Sequence, residues 1–188
     1  ALPWTVVAAK DGLWALWLVI AATGLGFWSS VQLNLFGIFS PGLAGLWPQL
    51  LLWLPLWLLP GGLPHLKVCA IAQPRISRAV GAGMALGAWA GFGVMAVLQR
   101  DADWAVFGLA SVLVAAVVAA AWRKRNILVL GLGLMAANAL WLVAVGHYLF
   151  STMDWAETGA FSLMTLVIAA SVGASAHGLY RLQKEGAV

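Results

Sequence analysis

The sequence predicts an all-α membrane protein. It reads as a polytopic bundle of about six transmembrane helices forming a single transmembrane domain over residues 1–188, with both termini on the cytoplasmic side. Three observations predict it. Only 9% of the residues are charged, whereas a soluble domain carries roughly a quarter, so most of the surface must face something other than water. Apolar runs of about 20 residues, the length that crosses a hydrocarbon core, recur along the whole chain, and the mean hydropathy is +0.96. The basic residues also sort to one side once six spans are drawn.

The spans run over about 12–31, 36–59, 79–99, 104–122, 127–149 and 157–179. The first, fourth, fifth and sixth are uninterrupted. The second carries Pro41, Pro48 and Pro55. Proline is tolerated within a membrane helix when neighbours re-satisfy the carbonyls it frees, so a kinked span is expected. A re-entrant segment is the alternative, and it would reduce the count to five.

Six spans place Lys10, Lys67, Arg75, Arg78, Arg123, Lys124, Arg125, Arg181 and Lys184 on one side, nine of the ten basic residues. The other side holds Arg100 beside Asp101, Asp103, Asp154 and Glu157. Lys and Arg are retained in the cytoplasm, so the first side is inside, as for a protein of a bacterial inner membrane. A count of five or seven scrambles this sorting. The excess of positive charge belongs to short loops, which excludes a nucleic-acid patch and leaves the lipid bilayer and other membrane subunits as partners.

The third span contains Gly83, Gly87 and Gly91, four apart and therefore on one helix face. Without side chains such a face lets another backbone approach closely, the main packing device in lipid. A groove for a flat ligand, a carotenoid or porphyrin, would use the same face. The 12 tryptophans divide similarly. Trp4, Trp28, Trp57, Trp104, Trp122 and Trp155 lie near span ends, where indoles anchor at headgroup level. Mid-span Trp17, Trp53, Trp89 and Trp141 are open to a second reading as the lining of a pigment, haem or quinone pocket.

No Asp, Glu, Lys or Arg lies at mid-membrane depth by this count, which argues against a proton pump, a proton-coupled carrier or a charged filter. It also removes paired carboxylates, and no nucleophile elbow, phosphate loop or zinc spacing occurs, so no enzyme is expected. The single cysteine, Cys69, excludes an internal disulfide and an all-cysteine metal site. His147 falls near the outer end of span five, His177 near the inner end of span six, and His65 in the first cytoplasmic loop. His147 reads either as an interfacial hydrogen-bonding group or as a single axial ligand; only His65 and His177 share a side for bis-histidine ligation. Asn138, mid-span among small neighbours, needs a partner for its amide, either a facing helix or a ligand. His147, Asn138, Trp141 and His177 are thus the candidates for holding haem or a pigment.

Three stretches resemble the NnrS family of membrane proteins. Trp122-Arg-Lys-Arg-Asn126 opens span five and is followed by Ala137-Asn138. Leu35-Phe36-Gly37 is followed by Ala44-Gly45, and Pro74-Arg-Ile-Ser-Arg78 leads into a Gly/Ala/Trp helix. The resemblance covers residues 29–138 and implies a haem- and copper-binding protein linked to nitric-oxide metabolism. The family's histidines align with Ser30 and Gln32 and its glutamate with Leu33, and the family is about twice this length. What the resemblance implies is therefore a half-length, metal-free relative, and no metal ligand is carried over.

Three functions remain open on sequence: a small accessory subunit of a larger respiratory, photosynthetic or nitrogen-oxide-related complex, packing through Gly-rich faces; an NnrS-like haem or pigment carrier; and a transporter of a small neutral solute, suggested by the broken second span.

Overall fold

The computed structural model describes residues 11–32, 50–62, 75–98, 103–152 and 158–186. Among them every regular element is a helix: α1 (Asp11–Gln32), α2 (Leu54–Gly62), α3 (Arg75–Leu98), α4 (Trp104–Arg123), α5 (Ile127–Thr152) and α6 (Thr158–Gly186). Helices α3 to α6 each contain a stretch long and apolar enough to cross a membrane, while the apolar segments Asp11–Phe27 and Leu50–Leu59 are shorter. The chain is an all-α membrane protein. It divides into two compact units, Ala1–Trp89 and Ala90–Val188, with the boundary inside α3.

In the first unit the start of α1 clasps the start of α3. The Asp11 carboxylate accepts from the amides of Ile76 at 2.6 Å and Ser77 at 3.0 Å. These amides belong to the first turn of α3, where no carbonyl of the same helix can reach them. The N-terminal ends of α1 and α3 therefore lie side by side. Partial burial works against the Asp11 charge, but the amides of Ser77 and Ile76 outweigh it and hold the carboxyl below the usual aspartate range. A depressed carboxyl contributes stability that is present above its unfolded value and lost as pH falls through the folded one. Asp11→Ala is expected to lower stability by about 1 kcal/mol at neutral pH, as removal of a helix cap does. The loss should vanish in a thermal melt taken well below pH 4; a loss unchanged by pH would refute the clasp.

The second span shows how a proline break is accommodated. Residues 50–52 are helical, a turn interrupts at Trp53, and α2 resumes at Leu54 with Pro55 in its first turn, where a missing N–H costs nothing. Pro55 has no N–H to donate to the Leu51 carbonyl. Trp89 of α3, 0% exposed, supplies one from outside: its indole Nε1–H donates to the Leu50 carbonyl at 2.8 Å. Trp57 meets the Trp89 ring edge-on at 6.3 Å. Trp53 reaches the other way, its ring tip 3.9 Å from where a Cβ on Gly26 would stand. Pro41 and Pro48 lie outside the described residues.

In the second unit α4 and α5 form a hairpin. Asp103 caps α4 by accepting from Ala105 and Val106, and its own amide donates to the Ala96 carbonyl of α3. The buried stripe Val106, Ala110, Val114, Val117 and Ala121 repeats at helical spacing. Trp104 and Trp122 stand exposed at the two ends of α4, about 30 Å apart. Arg125, at φ 49°, turns the chain, and Asn126 caps α5 through the Val129 amide. Helix α6 packs on α5.

Close backbone approach occurs at glycines other than the four-spaced set. A Cβ on Gly93 would stand 2.5 Å from Leu140 Cδ2 and 3.0 Å from Ala110 Cβ; one on Gly133 would stand 2.7 Å from Val118 Cγ2. Gly83 is half-buried, while Gly87 and Gly91 are exposed with nothing described within 4 Å. The contacts at Gly93 fall about 200° round the helix from Gly91, so the two glycines do not share a face.

Candidate functional site

The structure distributes the four candidate residues instead of gathering them. His147, one turn and a half from the end of α5, is half-buried and lines a cleft of about 480 Å³ with Leu98 of α3, Val143, Phe150 and Ser151 of α5, and Met164 of α6. Clefts of this size hold a single small ligand. Its walls are apolar, and the polar groups on them are the imidazole and the Ser151 hydroxyl, which donates to the Tyr148 carbonyl. Gly146 keeps the wall low: a Cβ there would meet Met164 Cε at 3.4 Å. The Trp104 ring stands edge-on to the imidazole at 5.7 Å and 68°, and itself meets Phe107 edge-on at 5.8 Å. An aromatic pair at the start of α4 thus fixes one side of His147 and leaves the rest to the cleft.

Asn138 lies nine residues back along α5, about 13 Å from His147 along the axis. Its Nδ2 donates to Ser175 Oγ of α6 at 3.0 Å, a tie between two helices in the apolar layer. A double-mutant cycle of Asn138→Ala and Ser175→Ala is expected to give a coupling of about 0.6 kcal/mol, and no more than about 1.7. Independent effects of the two substitutions on unfolding in detergent would refute the tie. Trp141 is 56% exposed on the outer surface of α5, and His177 is exposed on α6, about 20 Å along that helix from Met164. Neither lines the His147 cleft. His65 and Cys69 lie outside the described residues.

The tryptophans divide as well. Trp89 and Trp53 are buried in the first unit, Trp17 is half-buried and edge-on to Trp14 at 5.8 Å, and Trp141 is in the second unit. The buried indole N–H groups of Trp14 and Trp53 have no acceptor among the described residues. No group of three or more His, Cys, Asp or Glu that could hold a metal occurs among the described residues.

Sequence reasoning missed Met164, Ser151 and Trp104 as neighbours of His147, and Ser175 as the partner of Asn138. Met164 and Ser175 sit on a helix whose small, mixed composition points to no single face. Trp104 did carry a signal, its place at a span end, but that signal describes depth and not a neighbour. No protein-family model, curated protein or solved structure matches this chain.

Proposed function

We propose that the protein is a small integral subunit of a larger membrane complex, oriented with both termini in the cytoplasm, that packs against a partner helix through α6. One observation carries this reading. Across Ser162–Arg181 no described residue of α6 is buried, yet the surface is rich in small residues, Gly173, Ala174, Ala176 and Gly178 among them. A Cβ on Gly173 or Gly178 would meet nothing within 4 Å among the described residues. Small residues are concentrated where membrane helices meet, and a helix built to face acyl chains has no need of them. The sorting of nine basic residues against one supports the orientation, as does the clasp that returns α3 to the side of Asp11.

The test is purification of the tagged full-length chain from its native membrane in mild detergent. A second integral membrane protein is expected in fixed ratio, and Gly173→Leu with Ala176→Leu should release it while the chain stays folded. A chain that elutes alone, or a partner retained by that variant, overturns the proposal.

The His147 cleft favours a second reading, a haem or pigment carrier in keeping with the NnrS-like stretches. An imidazole and a thioether share one apolar cleft there, and such groups serve as axial ligands of haem. A visible absorption band in the purified protein, lost in His147→Ala, supports the carrier; a colourless protein as isolated from its own membrane sinks it.

A further inference from the structure

The second unit carries a groove separate from the His147 cleft. It encloses about 490 Å³ along one face of α4, from Ser111 through Ala115 and Val118 to Ala119, floored by Ala137 and Leu140 of α5. At its far end the lining changes to Trp122 and Arg123. From Ser111 to Trp122 is eleven residues, about 16 Å of helix. That is half of a hydrocarbon core about 30 Å thick, so the groove runs the depth of one leaflet. Ser111 offers no polar anchor at the inner end, because its hydroxyl is spent on the Phe107 carbonyl at 2.8 Å.

The charged end is built, not frayed. Arg123, Lys124 and Arg125 are consecutive and exposed. The amides of Lys124, Arg125 and Asn126 donate to the carbonyls of Ala120, Trp122 and Ala121, which fixes the turn that carries the cations. The one carboxylate described on α4 or its caps is Asp103, at the opposite end and about 30 Å away. An apolar trough one leaflet long, ending in an interfacial indole and Arg123, with Lys124 and Arg125 next along the same turn, matches an amphiphile with an acyl chain and an anionic head. Basic sites beside transmembrane helices recognise anionic headgroups in this way.

We infer that the α4–α5 hairpin is a binding site for an anionic phospholipid, with one acyl chain in the groove past Ala115 and Ala119 and the headgroup phosphate on Arg123, Lys124 and Arg125. The site is independent of any partner on α6 and of any ligand at His147.

Native mass spectrometry of the detergent-solubilised full chain tests it, with phosphatidylglycerol and phosphatidylcholine of identical chains as probes. Phosphatidylglycerol is expected to bind about tenfold or more tightly than phosphatidylcholine, given the attraction of each cation for an anionic headgroup. The combined Arg123→Gln, Lys124→Gln and Arg125→Asn variant should erase that preference; Asn is used at 125 because it tolerates positive φ. Ala115→Leu with Ala119→Phe should weaken both lipids by filling the groove, and both positions are exposed, so neither side chain enters the core. Glycerol 3-phosphate, the head without chains, should not compete. Equal binding of the two lipids, a preference surviving the triple variant, unchanged binding after the groove is filled, or full competition by glycerol 3-phosphate each overturns the proposal.

Discussion

Replacing Trp89 by Ala is expected to be among the most damaging single changes in the first unit. The side chain is fully buried, and truncating a buried Trp costs about 3–5 kcal/mol. Two further losses are specific to this site. The Leu50 carbonyl loses its 2.8 Å indole donor beside a proline break, and Trp57 loses the ring it meets edge-on. For a chain of this length the change corresponds to a fall in melting midpoint on the order of 10 °C. Trp89→Phe separates the contributions. It keeps most of the apolar volume and the ring contact but leaves the carbonyl unpaired, so about 1–3 kcal/mol should be lost. If Phe proves as stable as Trp in a detergent melt, the indole is acting as filler and the account of the broken span fails.

The second large effect concerns which glycines hold helices together. Gly133→Leu and Gly93→Leu should each destabilise the α4–α5 unit by about 1–3 kcal/mol, the cost of overpacking. Val118 cannot rotate away from a Cβ on Gly133 because β-branched side chains are held to one rotamer in a helix. At Gly93 the Leu140 methyl can swing aside, but the Ala110 Cβ has no rotamer to change. Gly87→Ala and Gly91→Ala should do the opposite. Both positions are open, so the change removes backbone freedom from the unfolded chain and raises stability by up to about 1 kcal/mol. Measuring all four by thermal unfolding is decisive: the same sign at both pairs would refute the assignment.

That contrast marks where sequence reading succeeds. Long apolar runs with charges at their ends fix depth and direction, so the predicted spans 104–122 and 127–149 fall within two or three residues of α4 and α5. A four-residue glycine spacing says only that Gly83, Gly87 and Gly91 share a face. It does not say which face of α3 another helix meets. The face used within the chain includes Gly93, two residues and some 200° further round. The candidate site follows the same logic. His147 is visible as the polar group of an apolar span, but its cleft is closed by Leu98 of α3 and Met164 of α6, which nothing in the sequence marks as its neighbours. Asn138 is visible for the same reason, and its Ser175 partner hides among the small residues between Ala169 and Gly178. Convergence is a property of packing angles, which composition does not encode.

The clasp between Asp11 and Ser77 also has a consequence in time. Its two halves are 66 residues apart, and chains grow at about 5–20 residues per second. Asp11 therefore waits roughly 3–13 s after its own synthesis before its partner amides exist. During that interval the start of α1 lacks the two amides that hold its carboxylate in the finished fold. The start of α1 is secured only after α3 has begun, and a nascent chain stopped short of residue 77 should still expose Asp11 to a carboxyl-reactive reagent that the finished protein resists.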